Sequence, residues 1–158
     1  MENVLDLESL DTNSLKLLLK DAMDKKREVA QGDFLKFVKE VWPDFIEGKH
    51  HKIYAEKLNR IANGELKRLI VNMPPRHTKS EFASNLFPAF YMGRHPKAKL
   101  IQTTHTGELA IRFGRKAKNM IESSEYEKVF PEVTLAADSK AAGRWESNHG
   151  GEYFAAGV

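Results

Sequence analysis

Leu66-Lys67-Arg68-Leu69-Ile70-Val71-Asn72-Met73-Pro74-Pro75-Arg76-His77-Thr78-Lys79-Ser80-Glu81-Phe82-Ala83-Ser84 is the stretch on which the reading of this chain turns. Its parts follow one another as strand, tight loop and helix. Leu69, Ile70 and Val71 form a short apolar run rich in β-branched residues, and Pro74-Pro75 ends it, because proline has no N–H to give a sheet ladder. Beyond Lys79-Ser80, the residues Phe82, Ala83, Leu86, Phe87 and Phe90 fall at helical spacing, which puts the lysine and serine at a helix N-terminus. Free N–H groups and the positive end of the helix dipole make such an end attract anions.

A loop between a strand and a helix that closes in Lys-Ser is the arrangement that holds a nucleotide's phosphates. The lysine adds a point charge near the β/γ oxygens, and the serine hydroxyl suits Mg²⁺. Against the pattern G-x-x-x-x-G-K-[ST], this chain has Met73 and Thr78 in place of the two glycines. A positive φ at β-branched Thr78 costs ~1–2 kcal/mol, so either the loop is shaped differently or the site is weak. The plainer alternative is a strand-turn-helix with an incidental Lys-Ser start.

Pro74-Pro75-Arg76-His77-Thr78-Lys79-Ser80, with Arg68-Leu69-Ile70-Val71 before it and Phe87-Pro88-Ala89 after it, resembles the ATPase-motor segment of tailed-phage terminase large subunits. The resemblance runs from Trp42-Pro43-Asp44-Phe45 through His105-Thr106, Phe113-Gly114-Arg115-Lys116 and Ala141-Ala142-Gly143-Arg144-Trp145 to Gly150-Gly151-Glu152-Tyr153-Phe154-Ala155-Ala156-Gly157, covering residues 34–158. In a subset of that family the last loop glycine is threonine, as at Thr78. The resemblance implies an α/β fold with a phosphate-loop NTPase-type parallel sheet, preceded by amphipathic helices. It implies an ATPase, a hydrolase that uses ATP and Mg²⁺ to translocate double-stranded DNA into a viral procapsid during bacteriophage genome packaging.

Residue by residue, it implies Lys79 on the β/γ-phosphates, Ser80 on Mg²⁺ and Arg76 near the γ-phosphate, with Pro75, His77 and Thr78 as loop backbone. Trp42, His51 and Tyr54 would form a wall beside the base; Trp42 and Tyr54 read equally as core aromatics. Arg144 would stand in a basic loop near the site's rim, meeting a neighbouring subunit's nucleotide or only solvent. Implied partners are the portal protein, the terminase small subunit and further copies in a homo-oligomeric ring, in the cytoplasm of a bacterium infected by phage or carrying a prophage.

An ATPase of this type also needs an acidic strand end to hold Mg²⁺. After Lys79 no apolar run ends in Asp-Asp or Asp-Glu, and Glu108 and Glu152 are the available carboxylates. The expected layout is a helical lead-in at 1–32 and the amino-terminal portion of an ATPase domain at 33–158, truncated before the acidic motif and without a nuclease domain. Such a piece is expected to bind nucleotide at best, with slow or absent hydrolysis. In this family type later strands lie between the phosphate-loop strand and the next one, so residues 69–71 and 100–103 are expected to carry unpaired edges. A marginal fold, one that associates, or one that depends on a partner follows.

The whole chain has 158 residues, with 41% hydrophobic and 30% charged, and no apolar run reaches the ~18 residues that span a bilayer. Residues 1–6 are acidic and read as no secretory signal. Zero cysteines exclude disulfides and Cys-based zinc sites. The net charge of +3 comes from 25 basic and 22 acidic residues, so only local clustering makes a strong field.

Leu15, Leu18, Leu19, Ala22 and Met23 predict a first helix over 13–30, capped by Asp11, Thr12 or Asn13 and packing on the domain or a partner. Gln31-Gly32-Asp33 reads as a stop and a new cap before Phe34, Phe37, Val38 and Val41. A third helix opens at His50 with Ile53, Leu58 and Ile61 inward and Asn63-Gly64 as its stop. His50 and His51 point about 100° apart on it, which disfavours a shared metal. Residues 100–104 predict a second strand, and Thr106 or Gly107 starts a helix with Leu109, Ala110, Phe113, Ala117, Met120 and Ile121 inward. His105 contacts phosphate or DNA, or caps that helix. Arg112, Arg115, Lys116 and Lys118 face outward as a solvated face or as a phosphate-backbone contact, and the latter is the alternative function, a DNA- or partner-binding module. The pattern breaks near Ser123-Ser124, and residues 133–135, 143–146 and 152–156 look like a small sheet.

Overall fold

The computed structural model of the chain describes residues 11–139 and 141–158. In order it builds α1 (Thr12–Gly32), α2 (Phe34–Val41), α3 (Lys49–Ala62), a π-helical turn (Glu81–Leu86) running into α4 (Phe87–Arg94), β1 (Lys99–Thr104), α5 (Gly107–Ile121), α6 (Ser124–Val129), β2 (Arg144–Glu146) and β3 (Glu152–Gly157). The class is α/β, with a three-stranded mixed sheet in the order β1-β3-β2. β1 and β3 are parallel, with Leu100 opposite Tyr153, and β2 and β3 are antiparallel, with Trp145 opposite Tyr153.

Local chemistry sets the helix starts. Asp11 is the cap of α1, its carboxylate accepting from Ser14 N–H at 2.8 Å. Asp33 ends α1 and caps α2, one oxygen accepting from Lys36 N–H at 2.9 Å and the other from the Asn59 amide at 2.7 Å. Asn59 Oδ1 in turn accepts from Phe34 N–H at 2.7 Å, so α2 and α3 are tied at the cap. The second half of α1 packs on the domain: Ala30 is buried, and the Gln31 amide donates to Val129 O at 2.6 Å. Leu17, Leu19 and Met23 in its first half stay exposed. The first ten residues of the expected lead-in lie outside the described residues.

The core is aromatic. Phe34, Phe37, Phe82, Phe90, Tyr126 and Phe130 are buried together, and Phe34 meets Phe82 edge to face at 5.2 Å. Against the sheet, Trp145 stacks on Tyr153 at 4.7 Å and donates its indole N–H to Gly114 O of α5 at 3.1 Å. That approach requires Gly114, because a Cβ there would lie 2.5 Å from Ala142 O.

Four expectations need correction. Residues 69–71 lie in no strand; among the described residues they have no ladder partner, although burial alternates, with Leu69, Val71 and Met73 turned to the core and Ile70 88% exposed. The parallel partner of β1 is therefore β3 rather than residues 69–71, and the small sheet expected of the C-terminal segments takes in β1 as well. Residues 133–135 form no strand, Leu135 making only an isolated bridge to Ser147; the break expected near Ser123 is there, with α5 ending at Ile121 and α6 starting under the Ser123 hydroxyl. On α3, Ile53 points outward, while His51, Tyr54, Ala55 and Leu58 fill the inner face.

The helix after the loop is also not regular. Pro88 has no N–H to reach back one turn, and Phe87 N–H instead bonds Phe82 O, five residues earlier. The π turn absorbs the proline without breaking the helix.

Candidate functional site: the loop at residues 74–80

The loop does adopt the backbone that glycine would prefer. Thr78 has φ +60°, and Arg76 has φ +64°, while His77 between them does not lie in the left-handed region. Ser80 is already right-handed helical, with φ −72° and ψ −31°, and Phe82 N–H bonds Thr78 O at 2.9 Å as the first helical bond. Alternation of hand along successive residues turns their N–H groups toward one side, as in an anion-binding nest. Among the described residues, none of the N–H groups of Arg76, Thr78, Lys79 and Ser80 donates to a protein acceptor, while Pro75 and Arg76 form a turn. Lys79 folds back with Nζ 3.4 Å from Met73 O, a contact too long to hold it firmly.

A histidine from another element supports the strained residue. His51 Nε2 lies 2.7 Å from Thr78 Oγ1, and Thr78 Oγ1 donates to His77 O at 2.6 Å. On the other side of the ring, Nδ1 accepts from Gly48 N–H at 2.9 Å. An N–H can only donate, so Nδ1 carries no proton, and the neutral ring bears its proton on Nε2, facing Thr78. His51 is 6% exposed, packed on Phe45 at 4.8 Å and Phe82 at 5.2 Å between ring centroids. Burial holds its pKa below the ordinary imidazole value, the nearby His50 and His77 lower it further, and Glu47 opposes them. Sequence reading placed His51 beside a base; its contact with Thr78 joins residues 27 apart and has no local signal.

The other expected residues are scattered more widely. Tyr54 is buried and stacks on Phe82, but also lines a cleft of about 400 Å³ with Leu58, Leu69, Val71, Lys79 and Ser80. Trp42 is half-buried against Phe45. Pro75 and Arg76 are exposed, and His77 donates from Nδ1 to Pro75 O at 2.8 Å, bracing the turn. Arg144 is exposed on β2, where its charge lowers the pKa of Glu152 after Lys99 has done most of that work. Thr106, not His105, caps α5, by accepting from Leu109 N–H. On α5, Lys116 pairs with Glu81 at 3.1 Å and Lys118 donates to Ser139 O at 2.8 Å, while Arg112 and Arg115 are exposed.

Among the described residues, no group of three or more His, Asp or Glu side chains is arranged to hold a metal ion. Glu152 pairs with Lys99 at 2.8 Å at the start of β3, away from the strand ends where ligands of α/β sheets collect. A larger cleft, about 950 Å³, lies elsewhere, between α1, the end of α4 at Arg94 and the segments carrying Phe130 and His149, and has charges of both signs. Among the described residues, no helix is long and apolar enough to cross a membrane. No protein-family model, curated protein or solved structure matches the chain.

Proposed function

We propose that the chain binds the polyphosphate of ATP at residues 74–80 and is part of a DNA-packaging ATPase of the terminase large-subunit type. The observation that carries the first half is the loop itself: two left-handed residues at Arg76 and Thr78, N–H groups at Thr78, Lys79 and Ser80 that meet no protein acceptor among the described residues, and Lys79 held only by a weak contact. The second half rests on the order of motifs around it. Lys79 would meet the β/γ oxygens and Arg76 the outer phosphate. Ser80, exposed and at the N-cap of the helical turn, offers the hydroxyl that Mg²⁺ would take alongside phosphate oxygens and water. Bound Mg²⁺ would neutralise phosphate charge. Because no apolar run after Lys79 ends in an acidic pair that could hold Mg²⁺, hydrolysis by this chain is proposed to be slow or absent, and Arg144, portal, small subunit and a ring of copies belong to the packaging reading alone.

Equilibrium dialysis of ATP with Mg²⁺ tests the binding claim. Saturable binding that Lys79→Ala weakens at least tenfold is expected, and binding indifferent to Lys79 would contradict it. The DNA-binding alternative has less charge to work with, because Lys116 and Lys118 are engaged. Steeply salt-dependent DNA affinity that survives Lys79→Ala and falls with Arg112→Ala plus Arg115→Ala would favour it.

A further inference from the structure

We infer that His51 is the positioning residue of this loop: its neutral imidazole, donating from Nε2 to Thr78 Oγ1, holds Thr78 in the left-handed conformation on which anion capture depends. The inference rests on the polyphosphate reading and adds what controls that site. Gly48 N–H, the His51 ring, the Thr78 hydroxyl and His77 O form one unbroken chain of donors and acceptors, with contacts of 2.9, 2.7 and 2.6 Å. Every member has its direction fixed by the Gly48 N–H at one end and the His77 carbonyl at the other. The chain locks the Thr78 hydroxyl, and with it the side chain that makes φ +60° costly. A ring 6% exposed, with both nitrogens already used, has little left to offer a nucleotide base.

The same chain makes the loop sensitive to acid. A second proton must go to Nδ1, where it would face the Gly48 N–H and break the anchor. The titratable groups around the ring are His50 on α3 and His77 on the loop, which disfavour its charge, and Glu47 before α3, which favours it. Glu47 is itself held by Lys39 and Lys52 at 2.6 and 2.9 Å, and Phe45, Phe82 and Thr78 bring no charge.

The test is titration of the full chain with inorganic tripolyphosphate, and separately with ATP, both with Mg²⁺. Four chains form the cycle, wild type, His51→Phe, Thr78→Gly and the double variant, and Thr78→Val and His51→Gln serve as controls. His51→Phe keeps the ring and its aromatic contacts and is expected to weaken tripolyphosphate binding about tenfold. In the Thr78→Gly chain it is expected to do little, because glycine takes a positive φ unaided. Thr78→Val, which keeps the β-branch and removes the hydroxyl, should match His51→Phe, and His51→Gln, which keeps an N–H for Thr78, should recover much of the affinity. Equal losses in both backgrounds would overturn the inference, as would loss for ATP with tripolyphosphate unaffected, the signature of a base contact. If wild type binds neither anion, the polyphosphate reading fails, and unfolding midpoints of the four chains decide this one. A larger drop on His51→Phe with Thr78 than with glycine supports it, and equal drops refute it.

Discussion

Thr78 is where this chain departs furthest from what its residue type prefers, and the departure is offset by partners on both sides. Because His51 stays neutral in the fold, its pKa lies below the ordinary value of about 6.5 that it has unfolded. The unfolded chain thus binds more protons in that window, so stability rises with pH there. The contribution is complete above the ordinary value, is lost as pH falls through the lower folded value, and is flat below it. Urea midpoints measured from about pH 8 to pH 5 should fall toward acid in wild type and fall less in His51→Phe. Lys79 is different: among the described residues its side chain makes one hydrogen bond, the long one to Met73 O, so Lys79→Ala should change unfolding free energy by less than ~0.5 kcal/mol while removing anion affinity. The place of Lys79 and Ser80 was readable, since helical spacing begins just after them. The left-handed turn at Arg76 was not, because arginine carries no preference for it.

At the scale of elements, the caps are the parts most legible in the sequence, because a cap needs only a side-chain oxygen and the next three residues. Asp33 is the clearest, and its carboxylate also holds Asn59. Asp33→Ala is expected to destabilise by ~1–2 kcal/mol, visible as a lower denaturant midpoint. Pairing was not legible, since β1 meets β3 across about fifty residues and no local pattern encodes a parallel partner. The run Leu69-Ile70-Val71 has the composition of a strand but no ladder partner among the described residues, so composition alone misled. Packing of α5 on the sheet depends on Gly114, where a Cβ would meet Ala142 O at 2.5 Å and the Tyr153 ring at 3.0 Å. The first obstacle is backbone and cannot rotate away. Gly114→Ala should therefore cost ~1–3 kcal/mol and disturb the Trp145 environment, which near-ultraviolet circular dichroism reads directly.

Across the whole molecule, one side of the sheet is well covered and the other is not. Trp145 and Tyr153 are buried toward α5, whereas Ile101 on the edge strand β1 is 75% exposed and its register partner Phe154 is 47% exposed. An open edge beside exposed apolar side chains favours strand-to-strand association. Sedimentation should show association that grows with concentration and is reduced by Ile101→Lys. The central claim, that residues 74–80 form a working phosphate site in spite of Thr78, is tested most directly by thermal unfolding. The chain is heated with and without Mg²⁺ and a non-hydrolysable ATP analogue, alongside Lys79→Ala. Ligand at about 100 times its dissociation constant should stabilise wild type by roughly 2.7 kcal/mol. A cooperative transition that moves up in wild type and stays put in Lys79→Ala is the predicted result. A midpoint that ligand leaves unchanged in wild type, or raises equally in both chains, would contradict it.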